Sequence, residues 1–238
     1  MPPSPFDAVV FDFFCTLTPA VPSATWDEHA ARSAAPLGIE AGRWRDALDE
    51  SFPERVVGAL GDLPQTLRTL AARCGVTPDE EALAAACAAR LAAQRELFAL
   101  RPDAEPTLER IAGFGVKVGV LSDCATELAD SWPLLPIARY VDAAVLSCRE
   151  GRRKPDPVLY ATVAERLGVA PRRCLYVGDG GGGELSGARA AGMTAVLLRA
   201  VDWAADGAPG READWSGPVL GTLSAVGTAL DYPVMLRP

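Results

Sequence analysis

The chain has 238 residues, of which 49% are hydrophobic, and a formal net charge of −8. This length and this hydrophobic content suffice for one globular core, alone or with an inserted lobe, and they exclude a disordered or fibrous protein. The excess of acidic residues, 31 against 23 basic ones, argues against nucleic-acid binding, which needs a basic face. Any small anionic ligand must therefore be attracted by local positive charge.

No segment of the sequence predicts export or membrane insertion. The N-terminus lacks a basic region, its apolar run is interrupted by Asp7 and Asp12, and no uninterrupted apolar window approaches the roughly 18 residues of a membrane span. The six cysteines contain no C-x-x-C pair, and three of them lie in or beside predicted core strands, so we expect reduced thiols. These features predict a cytoplasmic protein without nucleic-acid or membrane partners and leave its oligomeric state open.

The first element predicted along the chain is a buried strand that ends in an aspartate. Val9, Val10 and Phe11 form an apolar run before Asp12. This pattern is typical of a parallel strand that delivers a side chain at its C-terminal end, where open α/β sheets bind ligands. Taken alone, Asp12 is equally well explained as the cap of the next turn.

A lobe of helices is predicted over residues 19–98, because the apolar spacing changes from strand-like to helical after residue 18. Within it, residues 25–28 and 77–80 predict capping boxes at helix starts, the second with Pro78 at the first helical position. The lone histidine of the chain, His29, is expected on the surface of this lobe.

From residue 101 onwards the pattern alternates between helices and strands, which predicts right-handed crossovers and a parallel sheet. The expected strands are 116–121, 143–147, 174–177 and 194–198, the expected helices are 107–112, 156–167, 184–191 and 218–230, and residues 200–216 are an expected loop. The predicted fold class is therefore α/β, a doubly wound parallel sheet formed by residues 1–18 and 99–238, with the helical lobe inserted between them.

Polar side chains follow three of the predicted strands. Asp12, Ser122 and Asp179 should meet in one crevice, because the carboxyl ends of adjacent parallel strands lie together. Two carboxylates there repel each other unless a cation lies between them, and two carboxylates with a backbone oxygen form a hard-oxygen site suited to Mg²⁺. Lys154 supplies positive charge from a loop, and Ser122 and backbone N–H groups can bind anionic oxygens.

Four short motifs in this order resemble those of the haloacid dehalogenase-like (HAD) hydrolase superfamily. They are VVFDFFCTLT at 9–18, GVLSD at 119–123, RKPDP at 153–157, and YVGDG at 176–180 with ELSGA at 184–188. The helical insertion resembles the small α-helical cap that many HAD proteins place over the active site. The resemblance implies a Rossmann-like core, a Mg²⁺ cofactor and a small anionic substrate.

The resemblance also assigns roles to residues. It implies that Asp12 is the nucleophile that forms an aspartyl-phosphate, that Thr16 and Ser122 hold the phosphoryl group, and that Lys154 and Mg²⁺ offset its charge.

The same likeness gives the expected metal site, which consists of Asp12, a backbone oxygen at Phe14, Asp179 and Glu184. Glu184 stands where many relatives have a second acid, and it is expected to orient a metal-bound water.

Position 14 departs from the superfamily's phosphatases, which carry a second aspartate two residues after the nucleophile. That aspartate protonates the leaving alcohol and then activates water, help that is typically worth about 10²–10⁴-fold, and Phe14 can do neither. Haloacid dehalogenases also lack this aspartate, and they use a cap arginine after a tryptophan, which Trp44-Arg45 resembles. Those enzymes, however, work without metal and have no acid at the position of Asp179.

Three functions stay open on this basis. The favoured one is Mg²⁺-dependent phosphoryl transfer or phosphate-ester hydrolysis on a small metabolite, with weakened turnover because of Phe14. The alternatives are a metal-free 2-haloacid dehalogenase and a non-catalytic ligand-binding or regulatory protein. The sequence does not identify the substrate.

Overall fold

The computed structural model describes residues 4–203 and 211–231. Within them, six strands form one parallel sheet in the order β3-β2-β1-β4-β5-β6. The strands are β1 Ala8–Phe11, β2 Lys117–Ser122, β3 Ala143–Leu146, β4 Cys174–Gly178, β5 Thr194–Leu198 and β6 Val219–Leu220. The strand order reverses at β1, so the predicted doubly wound α/β fold is confirmed.

The helices of the described residues fall into two groups, one within residues 19–98 and one that flanks the sheet. The first group is α1 Ser23–Ala34, α2 Ala41–Glu50, α3 Phe52–Arg55, α4 Leu63–Arg73 and α5 Glu80–Leu97. The second is α6 Ala104–Gly113, α7 Thr126–Ser131, α8 Ser147–Glu150, α9 Pro157–Leu167, α10 Glu184–Ala190 and α11 Ser224–Asp231. No helix among these residues is both long and apolar enough to cross a membrane. The thiols of Cys74, Cys87, Cys124, Cys148 and Cys174 are free.

Strand β1 lies at the centre of the sheet, between β2 and β4. All four of its residues are fully buried, as expected for a strand covered on both faces. Val9 and Phe11 pack into the apolar cluster on one face of the sheet, and Val10 packs into the cluster on the other. The apolar run that precedes Asp12 therefore anchors this aspartate at the middle of the sheet's C-terminal edge.

Helices α1–α5 have an apolar cluster of their own, built around Trp44, Leu67 and Leu70. The indole of Trp44 is fully buried, and its Nε1 donates a hydrogen bond to Ser33 Oγ at 3.0 Å. A separate cluster supports the predicted division into a cap of residues 19–98 and a core of residues 1–18 and 99–238, and this division stays a prediction.

Two helix starts differ from the predicted capping boxes. Helix α1 begins at Ser23, directly after Pro22, and has no side-chain cap. Helix α5 begins at Glu80, and Asp79 caps it by accepting a hydrogen bond from Ala82 N at 2.8 Å. The aspartate displaces the threonine two positions earlier because it is a strong cap in its own right.

The end of the chain also differs from the prediction of one helix over residues 218–230. Val219 and Leu220 form a short edge strand that pairs with Leu197 and Leu198 of β5. Pairing satisfies their backbone groups and extends the sheet, so only the later residues form a helix, α11.

Helices α5 and α7 meet through a buried ion pair. Arg90 of α5 donates from Nε to Glu127 Oε1 of α7 at 2.9 Å, and the two side chains are only 7% and 4% exposed. Burial by itself raises the pKa of Glu127, but the charges of Arg90 and Arg55 outweigh it and hold this pKa below its usual value. Glu127 therefore stays ionised inside the protein and depends on its arginine partners.

Removing one partner of this pair should be costly. We expect Arg90→Met to lower the free energy of unfolding by about 3–5 kcal/mol, because it leaves Glu127 charged and buried. Urea unfolding measures the loss. The double variant Arg90→Met/Glu127→Gln should recover most of it, and Arg95→Met, at an exposed position of the same helix, should stay within about 0.5 kcal/mol of the wild type. A loss below about 1 kcal/mol in Arg90→Met contradicts the buried-pair interpretation.

Candidate active site

Three acidic side chains meet at the C-terminal edge of the sheet. Asp12 follows β1, Asp179 follows β4, and Glu184 begins α10. All three are buried, and one carboxylate oxygen from each lies within 4.8 Å of the others. Gly178 allows this approach, because a Cβ at that position would lie 2.2 Å from Glu184 Oε1. The structure thus brings together the three acidic side chains predicted as metal ligands.

Lys154 lies between two of these carboxylates. Its Nζ donates to Asp12 Oδ1 at 2.6 Å and to Glu184 Oε2 at 2.5 Å. Tyr176 supports the same carboxylate, since its hydroxyl donates to Glu184 Oε2 at 2.7 Å. Burial alone lowers the pKa of Lys154, but Asp12 and Glu184 outweigh it and raise this pKa well above its ordinary value. The lysine is therefore a fixed positive charge in the site.

The loop that carries Lys154 is itself held in place. The backbone N–H of Lys154 donates to Asp123 Oδ1 at 2.9 Å. Two residues further on, Asp156 caps helix α9 by accepting from Val158 N at 2.9 Å. Both aspartates belong to the quoted motifs, and both hold the loop in place through hydrogen bonds to its backbone or to the helix that follows it.

A second cation, which the sequence did not indicate, binds Asp179. Arg211 donates to Asp179 Oδ2 from Nε at 2.7 Å and from Nη2 at 2.6 Å. Trp203 Nε1 donates to the backbone oxygen of Asp179 at 2.8 Å. Both residues come from the segment that was predicted only as a loop, and no periodicity or motif distinguishes them there.

Burial and mutual repulsion act on the two strand-end aspartates. Burial, followed by the charge of Asp179, raises the pKa of Asp12 to about 6 against the opposing effect of Lys154. Burial and the charge of Glu184 likewise raise the pKa of Asp179 to about 6 against the effect of Arg211. Three crowded carboxylates of this kind are hard oxygen donors and fit Mg²⁺. The contribution of a Phe14 backbone oxygen stays a prediction.

Two buried hydroxyls, one in the loop after β1 and one at the end of β2, have no hydrogen-bond partner among the described residues. Thr16 Oγ1 and Ser122 Oγ are fully buried, and neither forms a hydrogen bond with any described residue. Buried hydroxyls are normally paired, so an unpaired one indicates a missing ligand or water. These are the two hydroxyls that the sequence predicts to hold a phosphoryl group.

Comparison with known proteins places this site in a family. The model of the haloacid dehalogenase-like hydrolase family matches residues 6–192. The chain belongs to this family. The HAD motifs on which the resemblance rested therefore lie on the expected fold, and three of them supply the groups of the carboxylate cluster: Asp12, Lys154, Asp179 and Glu184.

Individual relatives support the same assignment. The chain is 34% identical to the glyceraldehyde 3-phosphate phosphatase of Methanopyrus kandleri over 81% of its own length and 83% of the relative's. It is 37% identical to a phosphatase of Mycobacterium tuberculosis over 55% of each chain. The L-2-haloacid dehalogenase of Xanthobacter autotrophicus has the same fold, with a TM-score of 0.63, 23% identity, and coverage of 95% of this chain and 99% of that one.

The loop after β1 has Cys15 at a position where the resemblance to HAD proteins expects glycine. Cys15 adopts a left-handed backbone conformation, with φ of 60°, and is the one non-glycine residue described with positive φ. Arg101 secures this turn by donating to the backbone oxygens of Cys15 and Thr16 at 3.0 and 2.9 Å. The turn geometry of the loop is thus retained although the glycine is not.

Phe14 occupies the position of the phosphatases' second aspartate. Its ring packs edge-on against Phe13, with ring centroids 5.1 Å apart, and lies 6.2 Å from the ring of Phe98 at the end of α5. Phe14 therefore belongs to an aromatic cluster, and its phenyl ring has no group that can transfer a proton.

The two cap features considered in the sequence lie away from this chemistry. Trp44 belongs to the buried cap cluster, and Arg45 pairs with Asp27 and Asp49 at 3.0 and 2.7 Å. The pair is therefore engaged in helix packing and in exposed ion pairs. The expectation of a surface His29 is wrong: it is 1% exposed, because α1 packs on α5, and its Nε2 lies 3.0 Å from Glu96 Oε2.

The raised pKa values of Asp12 and Asp179 predict how stability depends on pH in metal-free buffer. The folded protein keeps protons on these groups up to about pH 6, whereas unfolded aspartate releases them near about pH 4. Their contribution to stability therefore falls as pH rises between these values and is constant above. Urea midpoints across this range, measured with a chelator, should show this decline in the wild type and a smaller one in Asp179→Asn. Parallel profiles contradict the prediction.

The unpaired hydroxyl of Ser122 predicts a variant that separates stability from binding. Ser122→Ala should leave the free energy of unfolding unchanged or raise it by up to about 1 kcal/mol, because no hydrogen bond is lost. Its affinity for inorganic phosphate, measured calorimetrically, should fall by about tenfold, as expected for a lost hydrogen bond to a charged group.

Ser147, at the end of the neighbouring strand β3, provides the matched control. Its buried hydroxyl donates to Val56 O at 2.6 Å and accepts from Cys124 N at 2.8 Å. Ser147→Ala should therefore lower the free energy of unfolding by about 1–3 kcal/mol and leave phosphate affinity unchanged. If both variants lose stability alike and neither loses phosphate affinity, the phosphate role of Ser122 is wrong.

Proposed function

We propose that this protein is a Mg²⁺-dependent phosphatase that hydrolyses a phosphate ester of a small metabolite, with Asp12 as the nucleophile. The observation that carries the proposal is a buried aspartate that is held by Lys154 and clusters with two further carboxylates. Two unpaired buried hydroxyls, in the loop after β1 and at the end of β2, add to it. Such a site has the charges and donors to bind a metal ion and a phosphoryl group side by side. The phosphatase names of the two curated relatives support this choice.

The residues divide the chemistry among themselves. An Asp12 carboxylate oxygen attacks phosphorus, so that an O–P bond forms and the bond from phosphorus to the ester oxygen breaks. The ester oxygen keeps the electron pair of that bond and takes its proton from water, because Phe14 has none to give. Lys154 fixes Asp12 through Oδ1 and stays charged throughout. The hydroxyls of Thr16 and Ser122 donate hydrogen bonds to the oxygens of the transferred group.

The metal would be held by Asp12, Asp179 and Glu184, with a backbone oxygen at Phe14. When bound, Mg²⁺ neutralises negative charge on the phosphoryl oxygens and so permits attack by an anion. Tyr176 and Lys154 keep Glu184 in position for this role through hydrogen bonds to its Oε2.

Two observations favour one second candidate, a metal-free 2-haloacid dehalogenase. Phe14 suits a leaving group that needs no proton, and Arg211 compensates the charge of Asp179 without any metal. Trp44-Arg45 gives this candidate no support, because Arg45 is bound to two cap aspartates. The phosphatase therefore remains the leading proposal.

Kinetics with an activated phosphate ester test the proposal. A good leaving group needs little acid help, but hydrolysis of the aspartyl-phosphate needs activated water, which Phe14 cannot provide. We expect a burst of about one equivalent of alcohol followed by slow turnover. Asp12→Asn should show neither phase. Rapid mixing measures the burst. Hydroxylamine converts an aspartyl-phosphate into a hydroxamate, and mass analysis should locate this hydroxamate on Asp12.

Substitution of Phe14 extends this test. Phe14→Asp should raise the steady-state rate by at least about tenfold, below the full general-acid effect because the new carboxylate is partly desolvated. Phe14→Asn is the matched control, because asparagine has nearly the same shape as aspartate but no titrating group. It should give no gain in the steady-state rate. Halide release that ignores Mg²⁺ points to the dehalogenase. Inertness to both substrate classes points to a non-catalytic protein.

A further inference from the structure

We propose that Arg211 is a positioning residue that weakens binding of Mg²⁺ alone and makes binding of the metal and of the substrate's anionic group cooperative. This inference rests on the proposed function. Its basis is the direct contact of Arg211 with Asp179, one of the three clustered carboxylates.

The contact between Arg211 and Asp179 is buried and uses only one oxygen of the carboxylate. Both Nε and Nη2 of Arg211 bind the same oxygen, Asp179 Oδ2, while Oδ1 accepts from Gly181 N at 3.1 Å. The side chains of Arg211 and Asp179 are only 7% and 9% exposed. A guanidinium that is shielded from water in this way keeps its electrostatic effect on nearby charges, unlike an arginine on the surface.

Several contacts fix Arg211 in this position. Its guanidinium carbon lies 5.1 Å from the ring centroid of Trp203, and its Nη1 donates to the backbone oxygen of Trp203. Trp203 in turn donates from Nε1 to the backbone oxygen of Asp179 at 2.8 Å. The arginine and the aspartate are therefore held to the same indole, which limits their movement relative to each other.

The residue after Arg211 ties the same segment to the glycine-rich loop. Glu212 N donates to Gly180 O at 3.0 Å. The Glu212 carboxylate accepts from Leu185 N and Ser186 N at 2.8 and 3.0 Å, at the start of α10. Both ends of residues 179–186 are thus bound by one short stretch of chain, which places the charge of Arg211 at a defined point beside the cluster.

The charges of the site explain the effect. When ionised, Asp12, Asp179 and Glu184 are opposed by Lys154 and Arg211, which leaves one net negative charge among these groups. A divalent cation makes this net charge positive by one, and the site then attracts an anion. Arg211 opposes the first step and favours the second, so binding of one ion promotes binding of the other.

Without the guanidinium, the site should bind the metal alone more tightly and should no longer attract the anion after the metal has bound. The same groups would carry two negative charges, the metal would neutralise them fully, and no positive charge would remain for the anion. Tight metal binding without coupling is therefore the expected property of a variant that lacks the charge at position 211.

Calorimetric titration of Mg²⁺, with and without saturating inorganic phosphate, tests the inference without any turnover. Arg211→Met should bind Mg²⁺ alone about tenfold more tightly than the wild type. Phosphate should raise Mg²⁺ affinity in the wild type by at least about fivefold, and by much less in Arg211→Met. Unchanged Mg²⁺ affinity or unchanged coupling in a folded Arg211→Met overturns the inference.

Two further variants control for side-chain loss. The exposed Arg199 approaches the same indole, with its guanidinium carbon 5.0 Å from the centroid, and no bond joins it to Asp179 in the described chain. Arg199→Met should behave as the wild type. Arg211→Lys keeps the charge and should retain most of the coupling. This variant can be measured even if Arg211→Met does not fold. Equal loss of coupling in Arg211→Lys and Arg211→Met overturns the charge-based role.

The outcomes separate this inference from the proposed function. A wild type that binds Mg²⁺ and releases phosphate, with an Arg211→Met that is indistinguishable from it, contradicts the inference alone. A wild type that binds no Mg²⁺, with an Arg211→Met that does, supports the inference and contradicts a metal-dependent wild type. Absence of Mg²⁺ binding in both contradicts both.

Discussion

The clustering of three buried carboxylates at one edge of a parallel sheet is the constraint on which the rest of the structure depends. Asp12, Asp179 and Glu184 cannot all ionise at such short range without cations. Lys154 and Arg211 supply two positive charges. Because their ion pairs with the carboxylates are buried, water screens them little and their strength depends closely on geometry. The loops after β1 and β4 and the loop before α9 are arranged around this requirement.

The loop after β1 combines features that the HAD resemblance predicts with two residues, Phe14 and Cys15, that depart from it. The loop after β1 has its left-handed turn at Cys15, where the resemblance expects glycine. Phe14, where the resemblance expects a second aspartate, lies in an aromatic cluster with Phe98. The charged groups of the site are therefore compatible with the proposed phosphoryl binding, whereas position 14 has no group for acid–base chemistry. The proposed slow second step follows from that difference.

Much of the framework was predictable, because it depends on local patterns. The apolar run before Asp12 predicted a buried parallel strand, and the alternation after residue 101 predicted parallel crossovers. Prediction failed where the competing interaction was remote. His29 is buried because α1 packs on α5, and residues 219–220 form a strand because β5 offers them a pairing edge. Neither partner is near in sequence.

By itself, the sequence determined the fold class, the family motifs and the chemical types of the groups at the strand ends, since these follow from short-range periodicity and from topology. Only the tertiary structure decided how the charges are paired. Arg211 and Trp203 reach Asp179 from a loop without periodicity, and Arg90 reaches Glu127 across 37 positions of the chain. Pairing of buried charges depends on distances of a few ångströms in three dimensions, and local sequence patterns contain no information about such distances.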